Sequence, residues 1–299
     1  MKVLVTGASG YLGLNLVKRL IKDEFEVYAL TRKPLDFTHV RLHVITADLF
    51  DINAKLQGVN IDAVFHTAAR INFDESQDSL SQLTRDNIMG TYQLADFIIN
   101  NGVRKVIHSS SCSVYEEKYN KEEWTSEDSK LRPRNTYAVS KLSSEWILEN
   151  MLKNSTKELI ILRYSSIYGC GQRGGSIVPA LIANATKNID LSLFGSGNRI
   201  QDYVYIDDVV ESNLKCLNTE LEFNTILNIG SGEQVTDLML AEQIITHWNS
   251  NSEIKVLNTS KDPDTYFSYD IKKAADLIGY TPLKLAEGLT LYRKSQELE

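Results

Sequence analysis

The chain has 299 residues, of which 42% are hydrophobic, and a formal net charge of −7. This length and composition predict one large folded domain or two modest ones. The acidic balance excludes a broad electrostatic footprint for nucleic acid, and no apolar run reaches about 18 residues, so we expect neither nucleic-acid binding nor a membrane span.

The start of the chain and its cysteines bear on location and metal binding. The first residues, MKVLVTG, enter a strand at once, so we expect no signal peptide and a cytoplasmic protein. Cys112, Cys170 and Cys216 lie far apart in the sequence. This spacing suits neither a disulfide framework nor a Cys-x-x-Cys site, and we expect no bound metal.

Short β-branched segments alternate with helical patterns along the chain. Strands are predicted at 2–7, 26–31, 42–48, 62–68, 105–111, 158–164 and 225–231. Helices are predicted at 11–22, 80–101, 136–153, 206–218, 236–248 and 284–298. Near-continuous apolar strands separated by helices indicate an α/β fold with a parallel sheet covered on both faces.

A glycine-rich loop, TGASGYLG, follows the first strand and opens the first helix. Its first glycine permits a tight turn, its second lets the backbone approach a pyrophosphate, and its third allows close packing of helix on strand. The positive end of the helix dipole then faces the anion. The loop predicts a dinucleotide site in a Rossmann-type doubly wound parallel sheet, with contacts from Gly7, Ser9, Gly10, Tyr11, Leu12 and Gly13.

The same patterns predict two interleaved domains. Residues 1–165, together with roughly 200–232, are predicted to form the dinucleotide-binding domain. Residues 166–299 are predicted to form a smaller C-terminal substrate-binding domain, because longer loops replace the regular alternation there.

The end of the second strand bears on the choice of dinucleotide. An acidic residue at this position accepts from the adenosine ribose hydroxyls, whereas a cation suits a 2′-phosphate. The sequence here is ALTRKP, in which Arg32 and Lys33 follow the strand and no carboxylate is present. This predicts NADP as the cofactor, with NAD as the alternative.

Further motifs follow in order: HTAA at 66–69, DNIMGT around Asn87, the strand end SSSCSVY, YAVSK at 137–141 and YIDD at 205–208. Together with the glycine loop they resemble the extended short-chain dehydrogenase/reductase family, in its NAD-dependent epimerase/dehydratase group. The similarity covers nearly the whole chain. It implies cofactor contacts from Asp48, Leu49, Thr67, Ala68, Ala69, Asn87, Tyr137, Lys141 and Ser165.

Tyr137 and Lys141 resemble the catalytic pair of this family, and four residues apart on a helix they share one face. Hydride transfer at a carbinol carbon requires a proton to move at its oxygen. A neighbouring ammonium and an oxidised nicotinamide both favour the phenolate form of the tyrosine. The resemblance implies that Ser111 orients the substrate oxygen, with Ser110 and Ser109 as alternatives if the register slips by one.

The substrate side departs from the family's pattern. Ser166 stands where nucleotide-sugar members often have asparagine, and Gln201 stands where they usually have an arginine that clamps the substrate diphosphate. Arg199, on the same strand face as Gln201, and Arg173, in the loop GCGQRGGS, are the candidate replacements. Since an arginine forks onto phosphate oxygens and a glutamine does not, the change is not conservative.

The residues after Ser111 bear on reaction type. Strand alternation places Ser113 on the same face as Ser111, which makes Ser113 a candidate substrate contact. The family's sugar-nucleotide 4,6-dehydratases have Asp-Glu where this chain has Cys112-Ser113. Neither side chain suits acid–base elimination of water, so a dehydratase is not expected.

The resemblance implies an enzyme that transfers hydride at a carbinol or keto carbon of a nucleotide-linked sugar, and an epimerase is the leading reaction type. An NADPH-dependent ketoreductase of a nucleotide-linked or other keto sugar is the alternative, favoured by the cationic strand end. A non-catalytic NADP-binding sensor is a second alternative, although such proteins tend to lose the tyrosine or the lysine.

The resemblance also implies a homodimer built from the helices at 80–101 and 136–153. Both helices carry large apolar residues beyond those that a sheet-facing stripe needs. The residues that suggest this excess are Leu83, Phe97, Ile98, Trp146, Ile147 and Leu148.

Overall fold

The structure is a computed structural model, and it describes residues 1–71, 76–172, 175–257 and 264–297. The chain divides into two compact units. The first unit comprises residues 1–116, 131–163 and 210–227. The second comprises residues 117–130 and 164–209 and the described residues from 228 onward.

These units differ from the predicted domain bounds in four segments. The prediction gives residues 117–130, 164–165, 200–209 and 228–232 to the dinucleotide-binding domain, whereas they pack within the second unit. The reason is strand pairing, because strands at 200–201 and 203–205 pair with other strands of the second unit.

Strands occupy much of the region described. In chain order they are β1 (Lys2–Thr6), β2 (Glu26–Thr31), β3 (Leu42–Thr46), β4 (Ala63–His66), β5 (Lys105–Ser111), β6 (Glu158–Tyr164), β7 (Ser166–Tyr168), β8 (Leu191–Leu193), β9 (Ile200–Gln201), β10 (Tyr203–Tyr205), β11 (Thr225–Ile229), β12 (Val235–Thr236) and β13 (Ile254–Val256).

The six predicted helices lie close to observed ones, and the described residues also form helices that were not predicted, at 52–55, 177–185 and 272–278. In chain order the α-helices are α1 (Tyr11–Lys22), α2 (Ile52–Lys55), α3 (Gln77–Leu83), α4 (Gly90–Asn101), α5 (Thr136–Leu152), α6 (Ile177–Ala185), α7 (Ile206–Asn218), α8 (Asp237–Trp248), α9 (Lys272–Ile278) and α10 (Leu285–Gln296). A π-helical turn, Thr84–Met89, joins α3 to α4, so the helix predicted at 80–101 contains one irregular turn.

The central sheet has seven strands in the order β11-β6-β5-β4-β1-β2-β3. β1 pairs in parallel with both β2 and β4, and the β2–β3 and β4–β5 pairs are also parallel. The order steps outward on both sides of β1, which is the doubly wound arrangement, and the predicted fold class is confirmed. In such sheets ligands bind beyond the carboxyl ends of the strands.

Burial of this sheet on both faces explains its apolar strands. One core cluster joins strand residues to α4 and α5, and its members include Leu4, Val64, Leu94, Phe97, Val106 and Leu148, each 0% exposed. Helix α1 buries a stripe of Leu16, Val17 and Leu20 while its last turn carries Arg19 and Lys22. Cations at that end of a helix complement its dipole.

The second unit is built from short strand pairs and helices. β7 pairs with β10 and β8 with β13 in parallel, and β9 pairs with β12 in antiparallel fashion. Helix α10 packs closely on this framework, because a Cβ at Gly288 would lie 2.0 Å from the Tyr168 hydroxyl. These elements position Ser166 and Gln201 at strand ends of this unit.

Candidate active site

The glycine loop between β1 and α1 has the shape that a phosphate-binding loop requires. Gly7 has φ of +69°, a left-handed conformation that side chains with a Cβ rarely adopt. A Cβ at Gly13 would lie 2.3 Å from the Gly7 carbonyl oxygen, so the turn closes only with glycine. Helix α1 begins at Tyr11, and Leu12 lies in its first turn. The amides of such a first turn are available to an anion.

Neighbouring strand ends hold this loop in place. A Cβ at Gly7 would lie 2.6 Å from the Ala68 backbone, which shows how closely the segment after β4 approaches. Thr67 Oγ1 donates to the Thr6 carbonyl at 2.7 Å, and Ala69 is exposed next to Ala68. Thr31 Oγ1, at the end of β2, donates to Ser9 Oγ at 2.7 Å. The structure therefore brings these predicted cofactor contacts together around one loop.

Arg32 follows β2 as predicted, but its guanidinium is already engaged. Arg32 Nη1 donates to the Asp86 carboxylate at 2.8 Å, and Asp86 lies in the π-helical turn. Lys33 is exposed beside it. The sequence interpretation treated this strand end as purely cationic and missed Asp86, because the partner lies 54 residues further along the chain.

Asp48 and Leu49, after β3, lie beside the same turn. Asp48 caps a short 3-10 turn by accepting from the Phe50 backbone at 2.8 Å, and its second oxygen accepts from Arg85 at 3.1 Å. Leu49 is buried beneath Gly90, whose Cβ would lie 3.0 Å from a Leu49 methyl carbon. The Arg85 guanidinium also stacks over the Phe50 ring at 4.5 Å.

Asn87 ties the strand end after β4 to helix α5. Its oxygen accepts from the Arg70 amide at 2.7 Å, and its nitrogen donates to the Arg70 carbonyl at 3.0 Å and to Ser140 Oγ at 2.9 Å. The side chain is 2% exposed. These bonds fix the local backbone, and a direct contact of Asn87 with a cofactor stays a prediction.

Ser111, Tyr137 and Lys141 lie together at the carboxyl end of β5 and the start of α5. Asn135 caps α5 by accepting from the Ala138 amide at 2.8 Å, which places Tyr137 in the first turn and Lys141 one turn further. Ser111 is hydrogen-bonded to Tyr137. Ser113 Oγ donates to Ser111 Oγ at 2.9 Å, so both predicted serines join one network.

The two titratable groups of this cluster have shifted pKa values. Burial raises the pKa of Tyr137 to about 12, the nearby Cys112 thiol acts in the same direction, and the hydrogen bond with Ser111 lowers it in part. Burial lowers the pKa of Lys141 to about 8, while the Glu145 carboxylate acts in the opposite direction. Burial therefore has the largest effect on the pKa of Tyr137, and the expectation that Lys141 and an oxidised nicotinamide together favour the phenolate stays a prediction.

Sequence reasoning missed a buried ion pair beside Lys141. Arg163 forks onto Glu145, with Nη2 donating to Oε2 at 2.7 Å and Nε donating to Oε1 at 3.1 Å. Ser110 donates to the same carboxylate, and Arg163 Nη1 donates to the Tyr115 hydroxyl at 2.9 Å. Glu145 follows Lys141 by four residues, the spacing that also relates Tyr137 to Lys141, so the signal was present in the sequence.

Two buried histidines lie near the same lysine. His66 Nδ1 is 2.9 Å from Thr6 Oγ1 and its Nε2 is 3.0 Å from Thr91 Oγ1. The His108 ring lies 5.0 Å from that of His66. Burial lowers the pKa of His66 to about 3 and that of His108 well below its ordinary value, and the Lys141 charge acts in the same direction. Both rings are therefore neutral at physiological pH.

Ser165, a predicted cofactor contact, and the predicted substrate residues Ser166 and Arg199 have partners within the second unit. Ser165 Oγ donates to the buried Asp202 carboxylate at 3.0 Å, and the Ser166 amide donates to the Asp202 carbonyl at 3.1 Å. Arg199 forks onto Asp237 at 2.9 and 3.1 Å. Arg199 is thus already paired with a carboxylate, which weakens the case for it as a replacement phosphate clamp.

Some predictions lie beyond what the structure describes. Arg173 is outside the described residues. Within the ranges that are described, no group of His, Cys, Asp and Glu side chains could hold a metal ion. No helix in those ranges is long and apolar enough to cross a membrane.

Comparison with known proteins gives this cluster its context. The model of the NAD dependent epimerase/dehydratase family matches residues 3–230, which include the glycine loop, Ser111, Tyr137 and Lys141. The chain belongs to this family. The resemblance on which the sequence motifs converge is thereby confirmed, and members of this family are enzymes that act on nucleotide sugars.

Individual relatives also match this chain over all or nearly all of its length. It is 29% identical to a putative UDP-glucose 4-epimerase of Methanocaldococcus jannaschii over 96% of this chain and 95% of that protein. It is 29% identical to UDP-glucuronic acid 4-epimerase from Bacillus cereus in complex with UDP-glucuronic acid and NAD, with a TM-score of 0.87 and complete coverage of both chains. UDP-glucose 4-epimerase from Thermotoga maritima with UDP-glucose gives a TM-score of 0.89 at 26% identity, again with complete coverage of both.

Proposed function

We propose that this protein is an NAD-dependent epimerase of a UDP-linked sugar. The observation that carries the proposal is the cluster of Ser111, Tyr137 and Lys141, with Tyr137 hydrogen-bonded to Ser111 and Lys141 one turn away on α5. A proton carrier, an orienting hydroxyl and a cation are the three groups that reversible hydride transfer at a carbinol carbon needs.

The chain offers a fitting place for a dinucleotide. The cradle formed by Gly7, Gly10 and Gly13 has no room for a Cβ at its first or third glycine, and the start of α1 faces it. Residues of the loop would hold the pyrophosphate, and Lys141 would hold the nicotinamide ribose. A bound NAD would supply reversible hydride transfer at a carbinol carbon of the substrate.

The residues of the cluster then handle the proton. Ser111 holds the substrate oxygen by a hydrogen bond, and Tyr137 takes the proton as the hydride leaves and gives it back as the hydride returns. Because the pKa of Tyr137 is about 12 in the protein alone, the phenol carries its proton at rest. A positive charge near Tyr137, such as that of Lys141 or of an oxidised nicotinamide, would lower that pKa.

NAD replaces NADP as the proposed cofactor for two reasons. The relative from Bacillus cereus is in complex with NAD, and its chain aligns with this one over its whole length. Arg32, one of the two cations on which the NADP prediction rested, is paired with Asp86. The ketoreductase alternative rested on the same cationic strand end, Arg32 and Lys33, and loses support with it.

The test begins with the cofactor that the purified protein contains. We expect mass spectrometry of the denatured protein to detect NAD, and NMR to show conversion of UDP-glucose or UDP-glucuronic acid to the 4-epimer without net use of added dinucleotide. Tyr137→Phe is the matched inactive control. Release of NADP, or consumption of one NADPH for each product molecule formed, would replace the epimerase with a reductase.

We also propose that the protein is a homodimer, and that its interface is formed largely by side chains other than those predicted. Four of the predicted residues are each 0% exposed and belong to the core of the first unit, namely Leu83, Phe97, Ile98 and Leu148. Ile147 is half-buried, so of the predicted residues only Trp146 is exposed to solvent. Other apolar side chains on the same helical segments are exposed, namely Met89, Tyr92, Ile99 and Val139. An exposed apolar surface of this kind favours association.

Light scattering tests the dimer directly. We expect a dimer at micromolar concentration and a monomer for the double variant Tyr92→Glu with Trp146→Glu, because both side chains are more than half exposed in the single chain. A monomeric unmodified protein would remove the proposal. The cytoplasmic location also stays a prediction, and cell fractionation would test it.

A further inference from the structure

Three arginines converge on one carboxylate at the edge of the central sheet. The Asp86 carboxylate accepts from Arg32 at 2.8 Å, from Arg70 at 2.9 and 3.0 Å, and from Arg85 at 3.0 Å. We call Asp86 and these three arginines the Asp86 cluster. The Asp86 side chain is 12% exposed, whereas that of Arg32 is 57% exposed.

The position of the Asp86 cluster relates it to the dinucleotide loop. Arg32 is the first residue after β2, and Thr31, the last residue of that strand, is bonded to Ser9 of the glycine loop. Arg70 lies two residues after Ala68, which packs against Gly7. In a doubly wound sheet the end of this strand is where the adenosine ribose lies, so the cluster borders the 2′-position of a bound dinucleotide.

A 2′-hydroxyl and a 2′-phosphate make opposite demands on this surface. A hydroxyl can donate to a carboxylate, whereas a phosphate needs free donors and is repelled by a neighbouring anion. Burial alone raises the pKa of Asp86, but hydrogen bonds from Arg70 and Arg32 outweigh it, so the pKa lies below the ordinary value and the group is charged. A fixed anion thus lies within hydrogen-bond distance of the cation that a phosphate would use.

The remaining positive charge of the region does not reverse this balance. Arg85 is shared between Asp86 and Asp48, so three arginines and the exposed Lys33 face two carboxylates and two excess positive charges remain. The Arg32 and Arg85 side chains are each more than half exposed, where water and salt screen that charge. The Asp86 carboxylate acts at close range and is largely removed from water.

We propose that Asp86 determines cofactor specificity, selecting NAD over NADP by occupying Arg32 and by presenting a carboxylate where an adenosine 2′-phosphate would lie. This role rests on the proposed function, since it concerns the dinucleotide site of the same enzyme. Asp86 replaces, from the π-helical turn, the acidic residue that the end of β2 lacks.

The experiment is calorimetric titration of NAD and of NADP into protein freed of co-purified dinucleotide. We expect the unmodified protein to bind NAD at least about tenfold more tightly, which is the size of effect that a hydrogen bond to a charged group gives. Asp86→Asn keeps the shape and removes the charge, and it should shift the ratio of the two Kd values towards NADP by about tenfold or more. Adding Arg32→Ala to Asp86→Asn should cancel that shift.

Two further variants keep the test decisive. Asp78→Asn removes the same charge from an exposed side chain in the first turn of α3 and should leave the ratio unchanged. Arg32→Ala alone alters an exposed side chain whose loss the fold tolerates, and it should change NADP affinity by less than about threefold, because Asp86 already occupies Arg32. A tenfold or larger loss of NADP affinity in this variant would overturn the inference, as would an unchanged ratio in Asp86→Asn.

Failure of this inference is distinguishable from failure of the proposed function. Preferential binding of NADP by the unmodified protein would overturn the role of Asp86 whatever the turnover. A protein that prefers NAD, and loses that preference in Asp86→Asn, would support the role even if no UDP-sugar were epimerised. Binding of neither dinucleotide would overturn both.

Discussion

Two ion clusters of the first unit differ in how far they are removed from water. In the pair Glu145–Arg163 the side chains are 3% and 2% exposed, and the carboxylate is held by a fork of two hydrogen bonds. In the pair Asp86–Arg32 they are 12% and 57% exposed, joined by one nitrogen. The first cluster lies beside Lys141, the proposed catalytic lysine, and the second lies beside the proposed adenosine site.

The difference shows what each kind of ion pair can do. A buried pair cannot lose one member cheaply, so it fixes the positions of the groups around it. An exposed pair contributes little to stability, because water and salt screen its charges. We therefore expect the positions of the groups around Lys141 to depend on the buried Glu145–Arg163 pair, and we propose that the choice of cofactor depends on the exposed Asp86 cluster.

The largest expected effect is the loss of Arg163. Arg163→Met leaves the Glu145 carboxylate buried without its main partner, and we expect the free energy of unfolding to fall by about 3–5 kcal/mol in chemical denaturation. Replacing both members, with Glu145→Leu added, should recover most of that loss. Arg132→Met, at the exposed pair with Glu116, is the control and should change stability by less than about 1 kcal/mol. Equal losses in the single and double variants would contradict the account.

Next in size is the loss of the catalytic phenol. Tyr137→Phe keeps the ring and removes the proton carrier, so turnover of the UDP-sugar should fall by about two decades or more. Stability should change little, because the ring packing is kept. Tyr119→Phe, an exposed tyrosine bonded to Glu117, should leave turnover unchanged. Normal turnover in the Tyr137 variant would remove this residue from the mechanism.

Lowering the pH should lower the free energy of unfolding because of the two buried histidines, His66 and His108. The unfolded chain protonates histidine below about pH 6.5, whereas His66 has a folded pKa of about 3. Between these values the unfolded state binds more protons, so stability falls as the pH falls. His66 alone predicts a loss of about 2 kcal/mol from pH 7 to pH 5, and His108 adds to it in the same direction.

The variant His108→Leu sharpens that measurement. It removes a buried ring whose two nitrogens have no hydrogen-bond partner among the described residues. We expect denaturation curves at pH 7 and pH 5 to differ less in this variant than in the unmodified protein. His39→Gln changes an exposed histidine and should leave the difference unchanged. The same pH dependence in all three proteins would show that the buried rings are not its source.

The smallest expected effect is the loss of Arg32 from the Asp86 cluster. Arg32→Ala should lower the free energy of unfolding by less than about 1 kcal/mol, and the change should shrink further in high salt. The Arg163→Met loss should persist in high salt, because solvent ions do not reach that pair. A salt-insensitive loss at Arg32 as large as that at Arg163 would erase the distinction between the two clusters.

The sequence predicted the parts of this molecule that local patterns determine. The strands at 26–31 and 105–111 and the helices at 11–22 and 206–218 have the predicted bounds, because their apolar periodicity and end signals agree. Ser111, Tyr137 and Lys141 were predicted by spacing and by the family resemblance, and they do lie together. The domain bounds were less accessible, since strands of two or three residues carry little periodicity.

The partners of charged residues could not be predicted from local sequence patterns. Arg32 pairs with Asp86, which lies 54 residues away, and Arg199 pairs with Asp237, which lies 38 residues away. Arg32 had been assigned to a phosphate because no carboxylate lies near it at the strand end, and Arg199 because it shares a strand face with Gln201. Four of the apolar residues proposed for the dimer are buried in the core, because a helix that packs on both a sheet and another helix buries more than one stripe.

The π-helical turn has a consequence for the helix packed beside it. A π turn replaces the i→i+4 hydrogen bonds of an α-helix with wider i→i+5 bonds, and hydroxyl side chains contact one of its carbonyl groups. Thr91 Oγ1 donates to the Asn87 carbonyl at 2.6 Å, and Ser144 Oγ, from α5, approaches the same oxygen at 3.2 Å. A buried serine of α5 thus contacts a backbone carbonyl of the neighbouring helical segment. The face of α5 that packs on the π-helical turn must therefore stay polar, and Ser144→Ala would remove this contact to the Asn87 carbonyl.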